Sequence, residues 1–236
     1  MKLDFSGERL MAVVAHPDDA ELVCAGTLAR AKSEGATVAI CVLCQGDKGQ
    51  PKTTIANLKA KRRGEMTASA RLLGARLLFG DVPDGRLTDK APTRLKLVEI
   101  FRQFRPTLVI AHAPEDYHPD HRNAAALAEA ATWFCASRGH KTRSPAISKS
   151  PALWWMDTIG MHAFTPGFYV DISATLAVKK RMLACHQTQL DRGQDEDFCH
   201  LAKLMELQST ARGMQAGVQA AEAFRQHFAL KRVRAW

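Results

Sequence analysis

Four short apolar runs rich in branched side chains punctuate the first half of the chain: RLMAVVAH (9–16), TVAICVLCQ (37–45), ARLLFGD (75–81) and PTLVIAH (106–112). Each is bounded by polar or turn residues and is nearly continuous in hydrophobicity, the pattern of a strand buried on both faces of a parallel sheet. Between them, residues 20–34, 54–73 and 92–105 carry apolar positions at helical spacing, with Gly35 and Gly74 standing where the first two helices should stop. The order βαβαβαβ predicts an α/β fold with helices on both faces of the sheet. Right-handed crossovers in a doubly wound topology place the fourth strand beside the first, which opens a crevice at the carboxyl ends of the two strands.

The second half is less regular. Residues 121–137 have a helical pattern, 138–151 form a loop rich in Ser, Lys and Arg, and PALWWMD (151–157) and GFYVDI (167–172) have the character of two further strands. Residues 176–190 and about 196–228 are helical by pattern. No internal repeat or linker divides the chain, so residues 1–236 are expected to form one domain, and 46% hydrophobic residues suffice for a sizeable core.

Two clusters of histidine and aspartate fall at the predicted crevice. AHPDD (15–19) ends the first strand, and EDYHPDH (115–121) follows the fourth almost at once. Histidine with aspartate suits a metal such as zinc, which in catalytic sites takes three protein ligands and keeps one position open for water. In AHPDD, His16 and one aspartate can reach a metal while the other aspartate points at the water and takes its proton. In the second cluster, His118 and His121 lie one turn apart if a helix opens at Pro119, so that one can ligate and the other face a substrate.

Charge and cysteine content narrow the classes. The net charge of +9 could suit nucleic acid or an acidic ligand, but the basic residues are dispersed in KAKRR (59–63), KTR (141–143) and KKR (179–181), with no aromatic-interleaved stripe, so nucleic acid is not an expected partner. The six cysteines are scattered; Cys41 and Cys44 have C-x-x-C spacing inside a strand-like run without a second pair, and core thiols are expected. There is no apolar run near 18 residues and no signal-like start, so a cytoplasmic protein with no membrane span is expected.

AHPDD, GDKG (46–49), RRGE (62–65) opening a helix, HPDH (118–121), YVDIS (169–173), HQTQ (186–189) and RGMQAG (212–217) together resemble the PIG-L or LmbE-like family of zinc-dependent de-N-acetylases, along residues 10 to about 226. The resemblance implies a Rossmann-like three-layer sandwich with a mostly parallel sheet, a Zn2+ cofactor, and hydrolysis of an N-acetyl group from an N-acetylglucosamine-type sugar or conjugate. It makes His16, Asp19 and His121 the metal ligands, Asp18 the general base, His118 the oxyanion stabiliser or acid, and Asp120 the residue that orients and charge-tunes His118. Arg62 is implied as a substrate contact, and a homo-oligomer, trimer or hexamer, is implied as the assembly. Where many members of the family carry an acidic or branched residue after the second aspartate, this chain has Ala20, followed by Glu21, and Glu21 is assigned no chemistry. Residues 138–166, including Trp154, Trp155 and His162, are expected to wall the pocket.

The alternatives are an amidase acting on another N-acyl substrate, such as a thiol-sugar conjugate or an antibiotic, and a non-catalytic Rossmann nucleotide-binding module. Against the module, the first loop lacks G-x-G-x-x-G, and paired carboxylates would repel a pyrophosphate without a metal. A basic nucleic-acid-binding protein would have no need of the full set of His16, Asp18, Asp19, His118 and His121.

Overall fold

A computed structural model describes residues 3–194 and 199–229. The strands are β1 (Arg9–Val14), β2 (Thr37–Cys44), β3 (Arg76–Val82), β4 (Leu108–Ala111), β5 (Ala152–Met156), β6 (Phe168–Asp171) and β7 (Ala221–Gln226). The helices are α1 (Asp19–Val23), α2 (Ala25–Ser33), α3 (Leu58–Leu73), α4 (Ala91–Phe104), α5 (Pro119–Phe134), α6 (Leu176–Leu183), α7 (Gln187–Leu190) and α8 (Leu201–Ala216).

One seven-stranded sheet runs in the order β3-β2-β1-β4-β5-β7-β6. β1 pairs in parallel with β2 and with β4, and β7 runs antiparallel between β5 and β6. The mostly parallel α/β sandwich expected from the pattern is what forms, and the order reverses between β1 and β4 where the topology argument put the crevice.

Continuous hydrophobicity in the strands has a direct cause. In β1, Leu10, Ala12 and Val14 pack into one core with Leu28, Met66, Met182 and Met205, while Met11 and Val13 face a second core with Phe101, Phe104 and Leu127. Successive residues point to opposite faces, so with helices on both sides every position of a central strand is apolar. Trp154 and Trp155 divide between the same two cores and do not wall the crevice; of the segment 138–166, Ile159 is the residue that lines it.

Several elements depart from the periodicity. The helix expected over 20–34 breaks at Cys24, whose φ of −136° is not helical, giving α1 and α2. That over 176–190 breaks into α6 and α7 around His186. The long helix expected over 196–228 is α8 followed by β7, with residues 196–198 outside those described. Gly217 ends α8 in the left-handed conformation (φ 71°), donating to the Gly213 and Met214 carbonyls, and AEAFRQ then fills the slot between β5 and β6. An apolar stretch this short satisfies either period, and the open sheet position decides it. The four strand or helix cysteines, Cys24, Cys41, Cys44 and Cys135, are buried free thiols, as expected.

Candidate metal centre and active-site cleft

The carboxyl end of β1 feeds His16, Asp18 and Asp19 into a cleft, and the segment after β4 feeds in His118, Asp120 and His121, the last two on the first turn of α5, with His112 and Asp116 buried behind them. The cleft has a volume of about 490 Å³ and is also lined by Arg62, Lys48, Asp84 and Tyr117. The two distant clusters therefore meet, as the strand order requires.

Three side chains converge at its floor. His16 Nδ1 lies 3.3 Å from His121 Nε2 and 3.6 Å from Asp19 Oδ2, and His121 Nε2 lies 3.4 Å from Asp19 Oδ1. Ligands about 2.0–2.1 Å from a tetrahedral ion are separated by roughly 3.3–3.4 Å, so these spacings fit a divalent metal. His112 approaches the same carboxylate, Nε2 to Asp19 Oδ2 at 3.1 Å, and stacks on His121 with ring centroids 3.9 Å apart. His118 with His16 and His121, and His112 with Asp19 and His121, each bring three donors within 4.8 Å of one another.

The electrostatics agree with a cation at this spot. Burial works against the charged form of His16 and His121, yet hydrogen bonds to Asp120 and Asp19 raise the first to about 10, and the charge of Asp19 with the Asp116 bond raises the second to about 9. Burial pushes Asp19 upward, but His121 and His112 outweigh it and hold its carboxyl well below the usual range. The surroundings thus favour positive charge among the three donors, which a bound dication supplies without protonating its ligands.

The outer contacts orient these groups. Asp116, which lies in the EDYHPDH cluster but is given no role there, is 2% exposed; its Oδ1 lies 3.0 Å from His121 Nδ1 and accepts the His118 amide at 2.9 Å. A carboxylate behind a ligating imidazole fixes the tautomer with Nε2 free for a metal. Asp120 serves two histidines. Its carboxylate meets His16 Nε2 at 3.2 Å and accepts the Gly85 amide at 2.7 Å, so its side-chain hydrogen bond goes to His16. For His118 it supplies a negative charge that pulls the pKa upward and a backbone bond, its amide donating to His118 Nδ1 at 3.1 Å as His118 caps α5. That bond leaves Nε2 as the proton-bearing nitrogen of a neutral ring, and burial together with the positive charge of His121 and His16 lowers the His118 pKa.

Asp18 and Arg62 form a second unit. Asp18 has a left-handed backbone (φ 100°, ψ −25°), rare for a residue with a Cβ and characteristic of functional sites. Arg62, 3% exposed on α3, donates to the Pro17 carbonyl and places its NH2 3.1 Å from Asp18 Oδ2. It is not paired with Glu65, which instead accepts the Thr188 amide and hydroxyl. Burial raises Asp18 to about 6, with Arg62 opposing and Asp19 reinforcing the shift. Behind this pair lies buried His186, whose Nε2 is 3.4 Å from Glu21 Oε1. Nothing in periodicity marks His112, Asp116 or His186; position after β4 was the available signal for the first two.

A fold of this topology, with a cation-favouring His and Asp floor at its switch point, defines a metal-dependent α/β enzyme of the doubly wound class. The profile of the PIG-L family, described as GlcNAc-PI de-N-acetylase, matches residues 11–132, and the chain belongs to this family. The family is one of deacetylases, hydrolases that act on amide bonds. Diacetylchitobiose deacetylase of Thermococcus kodakarensis is 26% identical over 194 residues, covering 77% of this chain and 70% of that protein. The 4-oxalmesaconate hydratase of Pseudomonas putida is 28% identical over 149 residues, 60% of this chain and 58% of that protein. Among solved structures, the conserved protein TT1542 from Thermus thermophilus shares 31% identity with a TM-score of 0.81, over 97% of this chain and all of that one. Among the described residues, no helix is long and apolar enough to cross a membrane.

Proposed function

We propose that this chain is a zinc-dependent hydrolase that removes the acetyl group from an N-acetylglucosamine-type sugar or sugar conjugate. The observation that carries the reading is the convergence of His16 Nδ1, Asp19 and His121 Nε2 at 3.3–3.6 Å, with Asp18 beside them in a strained backbone. His16, Asp19 and His121 would hold the ion, which when bound polarises a carbonyl and lowers the pKa of water. Asp18, steadied by Arg62, accepts the proton of the water that attacks the acetyl carbon. His118 donates a hydrogen bond from its Nε2–H to the developing oxyanion, and the proton taken up by Asp18 passes to the departing amine, so that water and the amide become acetate and a free amine. Asp120 and Asp116 fix the rings of His16 and His121. A cytoplasmic homo-oligomer, trimer or hexamer, completes the reading.

Purified zinc-loaded protein incubated with N-acetylglucosamine and diacetylchitobiose should release acetate, followed by an enzymatic acetate assay and mass spectrometry. The hydratase relative supplies the contrary outcome. Addition of water to an unsaturated oxo acid, with no acetate from any N-acetyl sugar, would overturn the deacetylase and keep the metal centre.

A further inference from the structure

The HQTQ segment (186–189) has no part in the reaction above, yet its buried side chains reach three elements around Asp18 and Arg62. His186 faces Glu21 of α1, the helix that opens beside Asp18. Thr188 meets Glu65 of α3, one turn beyond Arg62: its amide donates to Glu65 Oε1 at 2.8 Å and its hydroxyl to Oε2 at 2.7 Å. Gln189 meets the GDKG loop (46–49), donating from Nε2 to the Gly49 carbonyl at 3.1 Å, while its Oε1 accepts from Arg192 NH1 at 3.1 Å. Gln187, by contrast, is exposed, and its side chain donates to the nearby Ala184 carbonyl at 2.8 Å.

The four-residue helix α7 has too few internal hydrogen bonds to hold its own place, so these outside bonds position it. The loop that it grips lies directly on Arg62. A Cβ on Gly46 would stand 2.9 Å from Arg62 Cδ, and one on Gly49 would stand 3.1 Å from Arg62 NH1. Backbone therefore covers the guanidinium along the edge away from Asp18, where its Nε is buried with no hydrogen-bond partner among the described residues. Packing against the loop fixes that edge, while NH2 reaches the Pro17 carbonyl and Asp18. The contacts close a ring. Arg62 and Glu65 share one turn of α3, Glu65 seats Thr188, Gln189 ties down Gly49, and the loop lies on Arg62.

We propose that Thr188 and Gln189 are positioning residues, which seat the GDKG loop on Arg62 and so keep its NH2 on Asp18. Thr188 lies outside the lining of the cleft, so its influence on Asp18 travels through α7, the loop and Arg62. The inference rests on the deacetylase reading for the role of Asp18, and the ring of contacts is independent of that role.

Thr188→Val removes the hydroxyl bond with little change of shape, Gln189→Met removes the tie to Gly49, and Gln187→Ala is the control within the same segment. With zinc-loaded proteins and diacetylchitobiose, kcat should fall at least about 10-fold in Thr188→Val and in Gln189→Met, because small displacements of a catalytic group are costly. Thr188→Ser should recover most of the loss, Gln187→Ala should match the parent, and zinc content should be the same in all. A double-mutant cycle separates this route from general loosening: in an Arg62→Ala background, Thr188→Val should cost less than about twofold more. Crystal structures give a readout that needs no turnover. The separation of Arg62 NH2 from Asp18 Oδ2, 3.1 Å here, should exceed about 3.5 Å in Gln189→Met. Thermal unfolding confirms that each variant folds. The kcat of the parent in both folded variants, the full cost of Thr188→Val retained without Arg62, or an Arg62 that stays on Asp18 in Gln189→Met would overturn the proposal. If Arg62 leaves Asp18 in that variant but the parent releases no acetate from any N-acetyl sugar, the deacetylase reading fails and the positioning ring stands.

Discussion

Replacing Asp116 tests the metal centre at a residue that has no expected contact with either metal or substrate. Asp116 is buried, and its Oδ1 serves two partners at once, His121 Nδ1 at 3.0 Å and the His118 amide at 2.9 Å. Asp116→Asn is nearly isosteric and keeps one acceptor, but it removes the negative charge that makes His121 a stronger ligand, and its amide nitrogen cannot accept. Loss of such a partner typically weakens metal binding 10- to 100-fold, about 1.4–2.7 kcal/mol. The asparagine should fall near the lower end, because it can still accept from one donor, and Asp116→Ala near the upper, because it frees both. Competition against a fluorescent zinc chelator gives the dissociation constants directly, and thermal unfolding of the metal-free proteins separates loss of affinity from loss of fold. An affinity within about twofold of the parent in both variants, each folded, would show that Asp116 does not support a ligand and that His121 does not bind the metal through Nε2.

Other outcomes follow from the same geometry. Asp18→Asn should retain zinc and lose turnover, whereas Asp19→Ala or His121→Ala should lose zinc, as elemental analysis will read; the reverse pattern exchanges the roles of the two aspartates. His118→Ala should lower kcat by roughly 10²- to 10⁴-fold with zinc still bound, checked by steady-state kinetics beside metal content. Glu222 accepts Lys179 Nζ at 2.7 Å and the Gly26 and Thr27 amides at 2.9 and 2.7 Å, all buried, so Glu222→Ala should cost about 3–5 kcal/mol by urea unfolding, and a much smaller loss would mean that water or another group replaces it.

The frame and half of the site were legible in the order of residues. Nearly continuous apolar runs separated by helical periods can only be satisfied by a sheet covered on both faces, and that architecture, with its handedness, forces β4 beside β1 and brings AHPDD to HPDH. His16, Asp18, Asp19, His118, His121 and Arg62 could be picked out on that basis and by family resemblance, because chemistry-bearing residues at strand ends converge by topology. The partners of those residues were set by packing. Asp120 turns its carboxylate to His16 because His118 occupies the N-cap of α5 and takes the Asp120 amide, a choice made by helix geometry and not by adjacency in sequence. His112, at the end of a predicted strand, and Asp116, inside the second cluster, gained a role only when the end of β4 packed them against Asp19 and His121. Arg62 and Arg192, 130 residues apart, both reach the Gly49 backbone, where a side chain would stand 3.1 and 3.3 Å from their NH1 atoms. Likewise β7 reads as the tail of a helix until an unfilled slot between β5 and β6 supplies its backbone with hydrogen-bond partners, which a pattern confined to one segment cannot anticipate.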